Sequence, residues 1–523
     1  MPILQQGAIN TTSLVVPDLY VQIVSPQTLV LNGVATNVVG VVGGASWGPV
    51  DQPVVIGTMS DYATGFGPVI ARPFDMGTIV ATAIQQGASN FRCVRVSDGT
   101  DLAASTPLGL VGSTFAMLIS ARYTGSLGNR ISFSLFPGSI PDQWQISIAM
   151  PGLVPEVYRN IPATSPTIFW QNAVAAINSG NGPLRGPSQM VVASLGNLLT
   201  TAPVALGSLE LAGGSDGGDG LSAPMLLGQD GATRTGMYTL RSQGCGLGVL
   251  ADVTDSTTWT VQAGFGLSEG LYMILAGAAG QAIADAVSLK QQSGLDSYSA
   301  KLLFGDWVFW NDQTNSTMRL VSPQGFVAGR LANLSPEQSG LNKPLFNIVG
   351  TQRSGVPGSG QTATYSEAEL QLLFENGVDV IANPQPGGSY WGVRCGHNSS
   401  SNVAINGDNY TRLTNYLAAT LAAGMGQYVG QVINGGLFQR IRATQLSFLQ
   451  ALLAQGILGS VDGSVPYSVV CDISNNPLGQ TSLGFVRSDA QVQFQSINEK
   501  FIINVEGGQT VVVQRQVLPS GLA

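Results

Sequence analysis

The chain has 523 residues, of which 52 are charged (22 basic and 30 acidic), or 10%, where soluble globular proteins carry about 25%. An apolar fraction of 44% supplies several cores and excludes wholesale disorder, and at about 100–200 residues per domain the length suits three or so domains. A net charge of −8 with no basic run excludes a dedicated nucleic-acid binder, because phosphate neutralisation needs clustered cations.

The first twenty residues read as an arm, small and polar, with Pro17 ahead of an alternating strand pattern in Leu19–Val24. Met1–Gln6 lacks the charged segment and apolar core of a secretory signal, so a chain made and kept in the cytoplasm is expected. Strands are predicted over Val34–Val42 and Pro53–Ile56, divided by the turn Trp47-Gly48-Pro49, then a helix over Gly77–Gly87 and a buried strand over Asn90–Val96. Alternating β and α patterns indicate an α/β layer. From about residue 113 the helical pattern fades. Phe115–Ser120, Ile131–Phe136, Trp144–Ile148 and Glu156–Tyr158 are short strands at hairpin-like spacing, with one helix over Thr167–Asn178.

The α/β alternation resumes after about residue 200. Strand Val204–Leu211 runs into the loop Gly213–Gly218, a helix is expected around Thr233–Gln243, and a strand over Gly248–Asp252. Strand Leu271–Leu275 precedes helix Gln281–Gln292, Leu302–Trp310 reads as one aromatic-rich strand, and Ser366 with Glu369 forms a capping box for a helix ending at Asn376. Strand Val378–Ala382 follows. Leu271–Gly280, the most apolar stretch, meets Gln281 and Asp285 well short of the ~20 residues a membrane span needs. The last 120 residues or so differ: helices Asn409–Ala423 and Leu437–Leu458, then strand-like runs Pro466–Cys471, Phe485–Phe494, Phe501–Val505 and Thr510–Val517.

With so few charges, Ser, Thr, Asn, Gln and Gly must cover the exterior. Only Lys290, Lys301, Lys343 and Lys500 are lysines, against 18 arginines (22 less 4). Desolvating a compact ammonium is costly whereas the planar guanidinium is retained at interfaces, so this balance favours a subunit covered by copies of itself. An ordinary enzyme from a low-lysine proteome is the competing reading.

Little in the sequence supports catalysis. Two GxSxG matches occur, around Ser46 and Ser215, and the single histidine, His397, lies downstream in hydrolase-like order. A nucleophile elbow must turn directly into a helix; Pro49 and Pro53 forbid that after Ser46, and Gly217-Gly218 disfavour it after Ser215. No lysine follows glycine, so there is no P-loop. The acidic glycine loop 213–220 reads as a tight turn, with Ser222 where a calcium repeat has aspartate. Cys93, Cys245, Cys395 and Cys471 have no CxxC spacing, which speaks against zinc. No cofactor, metal or catalytic residue is expected.

Several segments together resemble the tail sheath proteins of contractile phage tails and related injection machines. They are Val41–Pro53 with its Gly48-Pro49 turn, Asp61-Tyr62-Ala63-Thr64-Gly65-Phe66-Gly67, the glycine–asparagine turn Tyr123–Arg130, and Leu211–Gly217. Gly325–Ala332, Tyr390–Arg394 and Cys471–Asn476 follow in the family's order, so the resemblance covers roughly residues 17–506, with Asn333–Lys343 and Cys395 departing from the pattern. The resemblance implies a multidomain α/β subunit that polymerises around a tail tube and contracts to drive it through the host envelope for genome delivery. Its implied partners are itself, the tail tube protein, and baseplate and tail terminator proteins. The implied location is the virion tail, after assembly in the host cytoplasm, without membrane insertion. The sheath of a headless injection device is the alternative, and a serine hydrolase using Ser46 the alternative from another class.

The expected layout is an arm (1–20), a middle α/β domain (21–112 and 201–384), an inserted outer β-rich domain (113–200), a C-terminal core (385–507) and a second arm (508–523). Terminal strands that add to neighbouring sheet edges would join the copies. The donors expected are Leu19–Val24, through Leu19, Tyr20, Val21 and Ile23, and Thr510–Val517, through Val511, Val513, Arg515 and Val517. Phe485–Phe494 and Phe501–Val505 are the expected acceptors; pairing of both ends within one subunit is the alternative. The helix Leu437–Leu458 is amphipathic, and Arg440 and Arg442 near its start are expected to face an acidic tube, against the alternative of solvated arginines on a core helix. Inter-subunit disulfides among the four cysteines are a further expectation for a released particle, buried free thiols being the default.

Overall fold

The structure is a computed structural model and describes residues 3–6, 20–23 and 31–505. Its centre is a seven-stranded sheet in the order 378–379, 300–303, 272–276, 247–250, 39–43, 91–95, 53–56, parallel except for Pro53–Ile56 at one edge. Strands 39–43, 247–250 and 272–276 at its centre are continuous apolar runs because both faces are covered. Val39 and Val41 point to one side, against the helices Met76–Gln85 and Gln324–Ala332. Val38 and Val42 point to the other, against Trp259–Glu269, Ile283–Ser293 and Glu367–Glu375. The result is a three-layer α/β body.

Met76–Gln85 and Gln324–Ala332 pack almost backbone to backbone. A Cβ on Gly329 would lie 2.4 Å from the Ala83 carbonyl oxygen and one on Gly325 2.1 Å from Thr82 Oγ1, so glycine there sets the helix separation. The sheet's strand order reverses between Val39–Gly43 and Leu247–Leu250. Open α/β sheets bind ligands in the crevice at that point. Here the chain fills it: Gly44 N–H donates to the Phe74 carbonyl at 2.8 Å, Phe74 N–H to Asp252 Oδ2 at 3.2 Å, and Gln324 Nε2 to the carbonyls of Leu250 and Ile274.

A second, β-rich body interrupts this one. The ladder 156–162, 143–149, 132–137, 206–210 and the ladder 191–195, 117–121, 105–108 enclose the helix Pro166–Ser179 and share one core around Phe133, Ile146, Phe169 and Trp170. Ser105–Leu108 and Leu206–Glu210 pair within these ladders, so the insertion is wider than the expected 113–200. The pairing outweighs the α/β rhythm that suggested those limits. Thr233–Gln243 holds only a 3-10 turn, Gly236–Leu240. The stretch Leu302–Trp310 is split into Ala300–Leu303 and Val308–Asp312, which belong to different sheets. Gly305 makes the break, where a Cβ would sit 1.9 Å from the Ala278 carbonyl oxygen.

The C-terminal module consists of the helices Asp408–Met425 and Gly435–Ala454 and an antiparallel ladder of Tyr467–Val470 with Asp489–Val492. Among the described residues no helix is long and apolar enough to cross a membrane, and no group of three or more His, Cys, Asp or Glu is placed to hold a metal ion.

Candidate assembly site

The C-terminal module has its own small core: Leu413, Leu417, Phe448, Leu449, Leu452 and Val469, completed by Leu31 from the other end of the chain. Val34 N–H donates to Thr420 Oγ1 at 3.2 Å, and Gly33 and Gly424 allow the N-terminal linker to lie flat on the helix Asp408–Met425, against Tyr416 and Leu31 respectively. The N-terminal segment and the C-terminal strands are thereby fastened to one module.

The ladder of that module has two strands, and neither outer edge is paired among the described residues. An unpaired edge presents a row of free N–H and C=O groups and is a template for strand addition. The expected acceptor Phe485–Phe494 contracts to Asp489–Val492, because the Phe485 N–H is taken by the Gln480 carbonyl and both backbone groups of Arg487 by the Asn476 side chain. Phe501–Val505 is not a strand; it is irregular, with Phe501, Ile502 and Val505 about four-fifths exposed. Of the expected donors, Tyr20, Val21 and Ile23 lie in the strand Tyr20–Ile23, which in the single chain pairs in parallel with Ile3–Gln6. Leu19, Val511, Val513, Arg515 and Val517 lie outside the described residues.

A buried ionic cluster holds the module on the central sheet. Lys301, fully enclosed in the strand Ala300–Leu303, donates to Asp379 Oδ2 at 2.6 Å, to Asp408 Oδ1 at 2.9 Å and to the His397 carbonyl at 2.8 Å. Asp408 is the first residue of its helix and accepts a 2.6 Å bond from the Tyr272 hydroxyl. Asp379 accepts from the backbone N–H groups of Val380, Cys395 and Gly396. Burial opposes the lysine charge, but the two carboxylates outweigh it and hold the ammonium above its ordinary range. Burial likewise opposes the Asp408 charge, and Lys301 and the Tyr272 hydroxyl bring that carboxyl below its usual value. One turn on, Arg412 donates to the carbonyls of Leu334 and Ser335 at 2.6 and 2.9 Å, with burial pushing it down to about 10.

From the sequence alone, none of these side chains is assigned a part in such a cluster. The available pointer was a lysine inside the otherwise apolar strand Ala300-Lys301-Leu302-Leu303, since an unpaired lysine is rarely buried.

No family model and no curated protein matches the amino-acid sequence. Solved structures do match. The sheath tail protein from Listeria innocua is similar over 85% of this chain and 90% of its own, at 14% identity and a TM-score of 0.59. The sheath complex of an extracellular contractile injection system, PVC, in its contracted state, is similar over 94% of this chain and 98% of its own, at 12% identity and a TM-score of 0.53. The helical sheath of the anti-feeding prophage, also contracted, gives 94%, 99%, 11% and 0.54. The chain has the contractile-sheath fold.

Within this sheath fold, Arg440 and Arg442 are exposed on the helix Gly435–Ala454, and Arg440 Nη2 donates to Gln431 Oε1 at 3.0 Å. All four cysteines are free and buried. Burial raises each thiol, Cys245 to about 12, so cross-linking between folded copies requires local opening first. Ser46 is buried and its hydroxyl donates to the Phe66 carbonyl at 3.4 Å, whereas His397 Nε2 lies 2.8 Å from Glu499 Oε1 beside a cleft of about 1470 Å³; the two are not brought together. Ser215 Oγ donates to the Thr100 carbonyl. The loop at Gly213–Gly218 is a turn clamped by Asn129, which bonds Gly214 through both its amide atoms, and by Arg72, 2.7 Å from Asp216.

Proposed function

We propose that the chain is a structural subunit of a contractile sheath: copies polymerise into a helix around an inner tube, and the shortening of that helix drives the tube through a cell envelope. The likeness to sheaths over nearly the full length of both chains, two of them in the contracted state, carries this reading. Tube, baseplate and terminator proteins are its partners, and its role is structural, not catalytic. Work would come from two packings of the same subunits related by rigid-body rotation. The terminal segments 19–24 and 510–517 would join neighbours by adding to the open ladder of the C-terminal module, main-chain hydrogen bonds surviving while subunits turn. Arg440 and Arg442 would face an acidic tube, and the insertion would form the outer layer.

A phage tail delivering a genome is the first setting; a headless injection device is the second, favoured by the likeness to the PVC and anti-feeding prophage sheaths. Electron micrographs of the purified chain across a concentration series test the reading. Tubes or rings are expected, and dispersed single particles under every salt and crowding condition would overturn it. Deletion of 1–18 or 508–523 should leave a folded monomer that does not polymerise.

A further inference from the structure

The two strands of the C-terminal ladder are joined by residues 471–488, and the middle of that connection, 473–486, contains no charged side chain. Its apolar residues point outward: Ile473 is 81% exposed, Leu478 84%, Leu483 73% and Phe485 64%. Such side chains elsewhere on a connection would indicate a slack loop, but the base of this one is stapled. Asn476, only 4% exposed, donates to the carbonyls of Asp472 and Arg487 at 3.0 and 2.8 Å and accepts from Arg487 N–H at 2.6 Å. Asn475 donates to the Val470 carbonyl at 2.8 Å and to Asp489 Oδ2 at 2.9 Å, and the Asp472 carboxylate accepts from Ser474 N–H. A short turn of helix, Leu478–Thr481, then closes with Phe485 N–H on the Gln480 carbonyl at 3.1 Å. The loop is thus a preorganised projection with an apolar tip.

We infer that this projection is a self-association knob, and that its occupant is a recess on a second copy of the chain. The inference rests on the sheath reading and deepens it. Electrostatics select the occupant. Each copy carries a net charge of −8, so two copies approach at least cost through a face without charge, and 473–486 is such a face. The knob also continues directly into the open-edged ladder, so strand addition and knob insertion would engage one neighbourhood. A rigid apolar anchor entering a pocket is the usual centre of a strong protein contact, because little ordering entropy is lost on binding.

The test uses the full chain with Leu478→Asp and Phe485→Asp together, and Val154→Asp, an 83% exposed site in the insertion, as control. Sedimentation and negative-stain micrographs are recorded over a concentration series, with circular dichroism and thermal melts confirming the fold. The wild type and V154D should polymerise at one onset concentration, while L478D/F485D stays monomeric to at least about tenfold higher concentration with an unchanged melt. Polymerisation of the double variant at the wild-type onset would overturn the knob and leave the sheath reading standing; that is also the result if residues 506–523 or an inner tube cover the tip. A wild type that never polymerises would instead overturn the sheath reading, and the knob with it. Should the aspartate pair disturb the fold, L478S/F485S carries the same comparison.

Discussion

Replacing Lys301 by methionine removes one ammonium from between two carboxylates that are 2% and 0% exposed, Asp379 and Asp408. Methionine fills nearly the same volume, so the loss is electrostatic: two buried anions without a counter-charge. Breaking a buried pair from one side costs about 3–5 kcal/mol, whereas replacing every member by neutral groups is often close to neutral. K301M should therefore loosen the seat of the helix Asp408–Met425 by about that amount, and K301M/D379N/D408N should recover most of it. Hydrogen exchange of the amides in 408–425 reads the local opening free energy without assuming two-state unfolding of a multidomain chain. The pH dependence has a definite sign. Asp408 is held low, so its contribution is present above the ordinary carboxylate range and is lost as pH falls through its folded value. Lys301 is held high, so its contribution is complete at neutral pH and is lost only on the alkaline side. In K301M Asp408 loses the ammonium that holds its carboxyl low and can take up a proton, so the gap to wild type should narrow on acidification. Equal protection in K301M and wild type, or a triple variant no better than the single one, would refute the assignment of the cluster as the fastening.

Burial, reinforced by the Asp75 charge, pushes Asp252 up to about 7, and its Oδ1 is enclosed without a partner among the described residues. Between the ordinary value of 3.8 and that value the folded chain holds a proton that the unfolded chain has released, so stability falls as pH rises through this window. Asp252→Asn should raise the melting temperature at pH 8, by up to about 4 kcal/mol in stability, and leave it unchanged at pH 4; parallel melting profiles of variant and wild type would contradict this. Gly329→Ala should cost about 1–3 kcal/mol, because the new methyl meets the backbone carbonyl of Ala83 at 2.4 Å; an unshifted urea midpoint would show that the two helices yield. Ser366→Ala removes the hydroxyl half of the capping box on Glu367–Glu375, leaving the residue-366 N–H bond to Glu369 Oε2, and should cost about 1 kcal/mol, read as faster exchange in that helix alone.

The parts visible in the sequence are those whose local pattern agrees with their final setting. Pro53–Ile56 is predicted to the residue, and the apolar runs at Val39–Gly43 and Tyr272–Ala276 are legible because a strand covered on both faces carries few polar positions. The Ser366 cap was apparent because capping is local. Trp259–Glu269 and Gln324–Ala332 are not legible as helices because each carries two glycines, which lower helix propensity; Gly266, Gly325 and Gly329 serve close packing, whereas a Cβ on Gly264 would meet open space. The helices of the C-terminal module are legible but its ionic fastening is not, since Lys301, Asp379 and Asp408 are distant in sequence and meet only when the strand 300–303 pairs with 378–379 and the helix Asp408–Met425 starts beside them. The composition of Phe501–Val505 predicts a strand, but no partner strand joins it among the described residues.

The insertion enters and leaves the α/β body at a single point. Asp98 N–H donates to the Gly217 carbonyl at 2.8 Å, Leu102 and Ser215 bridge, and the Arg95 guanidinium ties the carbonyls of Gly48, Thr124 and Asp216 together at this neck. A chain that departs and returns through adjacent residues offers closely spaced ends for a graft, but Trp47 sits in the insertion's core, Leu127 N–H donates to the Ser46 carbonyl and buried Arg95 relies on the Thr124 and Asp216 carbonyls. A domain exchanged into 98–217 therefore has to keep the turn 123–130 and the strip 214–217, while the ladders beyond them are free to be shortened or enlarged.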